Sequence, residues 1–209
     1  MSNSLKNFQV SLKHTDNLMA GTKTGPGKPS NQEASMFVAS VALTYAAWEA
    51  YVEDVAIEAT EFLAGAVAED RVPESARRAI EGEKPSAWQL TVHPGWRTLW
   101  VQGVRALAKG DADAGRFGMN TARVRQITTL FLPVGLDFIG AIEKTDRSAL
   151  EKLVTARGSV VHSASTPSSF NKAAAKGYRD LVTRMADAAD EHIRAQVEEL
   201  TTKSPWPKV

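Results

Sequence analysis

From Phe37 the chain steps through Val41, Tyr45, Trp48, Val52, Val55 and Ala59 to Phe62 by fours and threes. At 3.6 residues per turn these side chains share one side of a helix, so the stretch must bury a long apolar stripe against other elements. Just upstream, Ser30 and Glu33 form a capping box, each side chain taking a backbone N–H of the other residue. The spacing predicts a helix from Asn31 to about Glu69, roughly 58 Å long at 1.5 Å per residue. One small bundle does not need that length, so a kink is expected near Gly65. The polar face carries Glu49, Glu53, Asp54, Glu58 and Glu61.

The same period recurs on both sides. Leu5, Phe8, Leu12 and Met19 describe a short amphipathic helix ended by Gly21. Residues 70–120 are less regular, with Pro73, Pro85 and Pro94 and a glycine-rich run from Gly110 to Gly118. Short helices are expected from Pro73 to Glu81 and from Trp96 to Lys109. Asn120 or Thr121 is placed to cap a helix through Val124, Ile127 and Leu130, which Pro133 interrupts before Leu136, Phe138 and Ile142 continue it. Asp146 is read as the cap of the next helix, whose apolar side is Leu150, Leu153, Val154 and Val161. Thr166, with Pro167 at a first-turn position, is read as the start of the last one, with Tyr178, Leu181, Met185, Ile193 and Val197 on its apolar face. No period-2 strand stands out. The expected fold is all-α, an antiparallel helical bundle over residues 31–209, with an extra N-terminal helix and linker at 1–30 and an irregular helical insertion at about 70–120.

Composition narrows the function. With 25 basic and 24 acidic residues the net charge is +1, so any nucleic-acid contact has to be local. The absence of cysteine excludes disulfides, thiolate metal sites and a cysteine nucleophile. No 18-residue apolar run occurs, which predicts no membrane span or signal peptide and a cytoplasmic protein. The stretch Gly21 to Lys28 has the wrong glycine spacing for a phosphate-binding loop, and Pro29 stands where a hydroxyl is needed; it reads as a hinge. Asp111-x-Asp113-x-Gly115 is too sparse for a calcium loop, and His14 and His192 read as ordinary surface or boundary residues. Trp88, His93, Trp96 and Trp100 beside Arg97 and Arg105 offer either a stacking surface for single-stranded RNA or an apolar lid on the bundle.

The sharpest motif is Arg157-Gly158-Ser159-Val160-Val161-His162, between two helical stretches. An arginine fork can neutralise charge gathering on phosphate oxygens, and a histidine that titrates near neutral pH can move a proton to or from a ribose 2′-OH. Five residues along an ideal helix turn the direction by about 140°, so the two share a face only if the helix ends between them. Gly158 and the run toward Ser163 mark such an end. The alternative is structural: both cations satisfy carbonyls at a helix C-terminus.

Trp48-Glu49-Ala50-Tyr51-Val52-Glu53, then Gly135-Leu136, then Leu150 to His162 with a final long helix, form an ordered set that resembles the HEPN family of small all-helical domains, most closely its RiboL-PSP branch. The likeness covers about residues 31–200. It implies a metal-independent, cofactor-free endoribonuclease in which two subunits bring their Arg-x4-6-His motifs to a shared cleft. Arg157 and His162 would be the catalytic pair, cleaving single-stranded RNA by 2′-OH attack. Read from the residues themselves, Glu49 and Glu53, one turn apart, either order Arg157 or form a solvated face, Ser159 is near enough to supply a hydrogen bond, and Trp96, Arg97, Trp100 and Arg105 are the RNA contacts of the stacking alternative. The family is rich in toxin and defence roles, which implies an antitoxin or regulatory protein as a further partner. Gly158 departs from the usual polar residue after the arginine, and that departure favours a noncatalytic module binding a protein, nucleotide or RNA.

Overall fold

A computed structural model describes residues 1–23, 28–83, 95–163 and 171–208; the side chains of Glu83 and of residues 160–163 lie outside that description. Among the described residues there are seven α-helices: α1 (Asn3–Ala20), α2 (Asn31–Ala66), α3 (Glu74–Glu83), α4 (Gly95–Lys109), α5 (Val124–Phe131), α6 (Lys144–Ser163) and α7 (Lys172–Thr201). The fold is an all-α helical bundle. Among the described residues the strand pairing is a short antiparallel ribbon, β1 (Gly110–Asp111) with β2 (Arg116–Phe117). None of the described helices is long and apolar enough to cross a membrane.

The axis is α2. Its stripe from Phe37 through Val41, Trp48, Val52 and Val55 to Leu63 is buried, with α1, α4, α6 and α7 packed around it. Its start is the capping box: Ser30 N–H donates to Glu33 at 2.8 Å and Glu33 N–H to the Ser30 hydroxyl at 3.2 Å. Glu33 also accepts from Lys23 N–H at 2.9 Å, and the two backbone donors pull its carboxyl down to about 2. The far end differs from expectation. α2 stops at Ala66, short of Glu69, and Val67 is extended (φ −74°, ψ 137°). The Arg97 guanidinium, reaching over from α4, donates to the carbonyls of Ala64 and Val67 and so closes the terminus.

α1 belongs to the same core, contributing Leu5, Phe8 and Leu12. Its first turn is closed by distant residues. Glu58 accepts from the N–H groups of Asn3 (2.9 Å) and Ser4 (2.8 Å), and buried Asp190 accepts from Ser2 N–H at 3.1 Å and from the Ser2 hydroxyl. α4 faces α2 with Trp96, Trp100, Val104 and Ala108, one residue per turn.

Four further expectations need correction. Neither Asn120 nor Thr121 caps α5: its N-cap is Arg123, and Glu151 from α6 accepts from Val124 N–H at 3.3 Å while pairing with Arg123 at 2.7 Å. After Phe131 the helix does not resume. The chain turns through Leu132 to Gly135 and makes only a 3-10 turn at Ile139–Ala141, although Phe138 and Ile142 are buried. Asp146 is no cap either; α6 starts at Lys144, and Asp146 pairs with Arg184 of α7 at 2.9 Å. The last helix begins at Lys172 with Asn171 accepting from Ala174 N–H at 2.9 Å, later than the Thr166 start expected; Thr166 and Pro167, like Trp88 and His93, lie outside the described residues.

Candidate active site

Tyr45 and Glu49 are one helical turn apart on α2, and Arg157 comes to them from α6. Tyr45 is buried, and its hydroxyl is doubly engaged: it accepts from Ala122 N–H at 2.8 Å and donates to Glu49 Oε1 at 3.1 Å. The Arg157 guanidinium carbon lies over the Tyr45 ring, 5.4 Å from its centroid. Among the described residues Arg157 makes no hydrogen bond or ion pair, so its N–H fork is unspent beside the ring face. Burial pushes the Glu49 carboxyl above its ordinary value, against the pull of the Tyr45 hydroxyl and the Arg157 charge. Burial and the neighbouring Glu49 charge likewise push the Tyr45 phenol well above its usual range.

Glu53, one further turn along, is not shared with Arg157. It binds the Lys109 ammonium at 2.8 Å, which Asp54 also holds at 2.8 Å. Burial raises the Glu53 carboxyl and Lys109 counteracts it. Burial works to lower the Lys109 ammonium, but its bonds to Asp54 and Glu53 leave it above its ordinary value.

The helix does not end between Arg157 and His162. α6 runs unbroken to Ser163, so the backbone positions 157 and 162 are turned by about 140° around one axis. The side chain of His162 lies outside the described residues. Gly158 is an interior helical residue with room around it, since a Cβ there would meet nothing within 4 Å. The Ser159 hydroxyl donates to the Thr155 carbonyl of its own helix at 3.1 Å.

The tryptophans of α4 are not a stacking surface. Trp96 and Trp100 are 3% and 2% exposed, stacked on one another at 6.1 Å, and the Trp100 N–H donates to the Pro133 carbonyl at 2.7 Å. Their i, i+4 spacing serves the core because that side of α4 faces α2. Arg97 is engaged at the end of α2 and lies over the Trp96 ring at 4.4 Å; Arg105, at the surface, pairs with Glu61 at 2.6 Å. Asp111 accepts from Ala114 N–H at 3.1 Å inside the ribbon turn.

Sequence reasoning missed Tyr45 and Ala122. The i, i+4 pairing of Tyr45 with Glu49 was open to inspection, but the Ala122 contact joins residues 77 apart and has no local signal. No family model, curated protein or solved structure matches this chain.

Proposed function

We propose that this chain is a metal-independent endoribonuclease that cleaves single-stranded RNA as a homodimer, with Arg157 and His162 as its catalytic pair. The observation that supports the reading most is the setting of Arg157. Its guanidinium is held by a ring face, 5.4 Å from the Tyr45 centroid, with Glu49 beside it and no donor consumed among the described residues. That suits a group whose task is to meet phosphate oxygens as negative charge gathers on them.

In the proposed reaction an imidazole takes the proton of the ribose 2′-OH, and the oxygen attacks the adjacent phosphorus. The O5′–P bond then breaks, and the leaving oxygen takes a proton, giving a 2′,3′-cyclic phosphate and a 5′-hydroxyl. One imidazole per chain serves one proton transfer, so a two-fold pair of chains supplies base and acid together. DNA, without the 2′-OH, is inert. An antitoxin or regulatory protein would act by covering this face.

The test is incubation of the purified protein with labelled single-stranded RNA in excess chelator. Cleavage is expected from the wild type, and Arg157→Ala and His162→Ala should each slow it by about 10²-fold or more with helicity and dimer retained. A strict monomer by solution scattering at micromolar concentration counts against the paired site. A second reading, a noncatalytic binding module, is favoured by the unbroken course of α6, which separates positions 157 and 162 by about 140°. RNA that is bound and never cut selects it.

A further inference from the structure

Tyr45 is 1% exposed, yet more of it is engaged than packing requires. Its hydroxyl joins the Ala122 N–H at 2.8 Å to the Glu49 carboxylate at 3.1 Å. Three residues on, the Trp48 indole N–H donates to the Ala122 carbonyl at 3.3 Å. Two side chains of α2 thus hold residue 122 by its N–H and its carbonyl, and the ring between them carries the guanidinium of Arg157. A carboxylate would also hold an arginine, but by occupying the N–H donors that a phosphate needs. An aromatic face attracts the cation through its quadrupole and leaves those donors unspent. Glu53, one turn beyond Glu49, is occupied by Lys109.

We propose that Tyr45 is a positioning residue for Arg157: its ring fixes the guanidinium, and its hydroxyl holds the Glu49 carboxylate and the Ala122 peptide in register with it. The role rests on reading Arg157 as the phosphate-binding group of a ribonuclease. It also gives Ala122, just past the irregular third, a part in the site, because its peptide completes the anchorage of the ring.

Two variants separate ring from hydroxyl. Tyr45→Phe keeps the ring and Tyr45→Leu removes it. The first measurement is the NMR signal of the Arg157 Nε–Hε group without RNA. It is expected upfield in the wild type through the ring current, retained in Tyr45→Phe and lost in Tyr45→Leu. The second is the cleavage rate at saturating RNA, expected to fall by about 2- to 30-fold in Tyr45→Leu, the span of a cation–π contact. In an Arg157→Ala background the same substitution should cost nothing further. Because Tyr45 is a core residue, the reverse perturbation guards against a folding defect: Arg157→Ala should shift the Tyr45 ring signals. An Arg157 signal at its random-coil position, Tyr45 signals indifferent to Arg157→Ala, or an equal cost of Tyr45→Leu with and without Arg157 overturns the assignment. A wild type that cuts no RNA sinks the ribonuclease reading instead, and the NMR arm then still decides whether Tyr45 holds Arg157.

Discussion

Gly135→Ala isolates a turn on which several buried groups depend. The residue has φ +81°, in the left-handed region, and its N–H reaches the carbonyls of Phe131 (3.1 Å) and Leu132 (3.2 Å) to close the turn after α5. An added Cβ would lie 2.5 Å from Pro73 Cβ and 2.6 Å from Pro73 Cγ. The left-handed conformation costs an L-residue about 1–2 kcal/mol. Overpacking against a stiff pyrrolidine adds about 1–3 kcal/mol, and the smaller entropy of the unfolded Ala chain returns about 0.4–1 kcal/mol. The net loss centres on about 3 kcal/mol, or about 6–12 °C in Tm for a chain of this size. Thermal melts by circular dichroism read it directly. A double-mutant cycle with Pro73→Gly, which removes both clashing carbons, should recover the steric part and leave the conformational part. A Tm lowered by less than about 2 °C would refute the reasoning, and strict additivity of the two substitutions would refute the clash.

Glu49→Gln tests the electrostatics of the site. The wild-type carboxyl faces Tyr45, Glu53, Lys109 and Arg157, and its folded pKa is raised by burial above the ordinary 4.5. Its favourable contribution is therefore complete below the unfolded value and lost as pH rises through the folded one. Urea melts should find the stability of the Gln variant relative to wild type rising as pH climbs from about 4, and a relative stability that falls with rising pH would contradict the raised value. Gly158→Ala should stabilise the protein by about 0.5–1 kcal/mol in the same melts, because the site is helical and open. No gain, or a loss, would mean that α6 ends there after all.

What could be read in advance was local. The α2 start follows from Ser30 and Glu33, three residues apart, and its course from an apolar period that needs no partner to be seen. What escaped was supplied from elsewhere in the chain. Arg97 from α4 closes α2 at Ala66, short of the Glu69 that the apolar period suggests. Glu151 serves the start of α5, so Thr121, a good cap by residue type, is not used. Trp96 and Trp100 have the spacing of a core stripe and of a stacking ladder alike, and only the position of α2 decides between them. Gly158 was read as a terminator although an interior glycine costs about 0.5–1 kcal/mol, little against the burial of Leu150, Leu153 and Val154 on the same helix. In the site, Arg157 and Glu49 stand out as residue types, whereas Tyr45, whose ring lies against Arg157, reads in the sequence as packing alone.

The closure of α1 by distant carboxylates bears on how the chain is made. The apolar face of α1 can dock on α2 once the chain as far as Glu58 has left the ribosome, and Glu58 arrives with that hairpin. Asp190, however, lies 188 residues beyond Ser2. Counted from Glu58, at about 5–20 residues per second it follows by about 7–26 s. For that interval the newborn hairpin has one of its two fasteners, and α2 still shows the nascent chain's surroundings the sides that α4, α6 and α7 will later cover. Folding of the first third is thus tied to the timing of translation, and the segment most exposed to chaperones is the one with the longest apolar stripe.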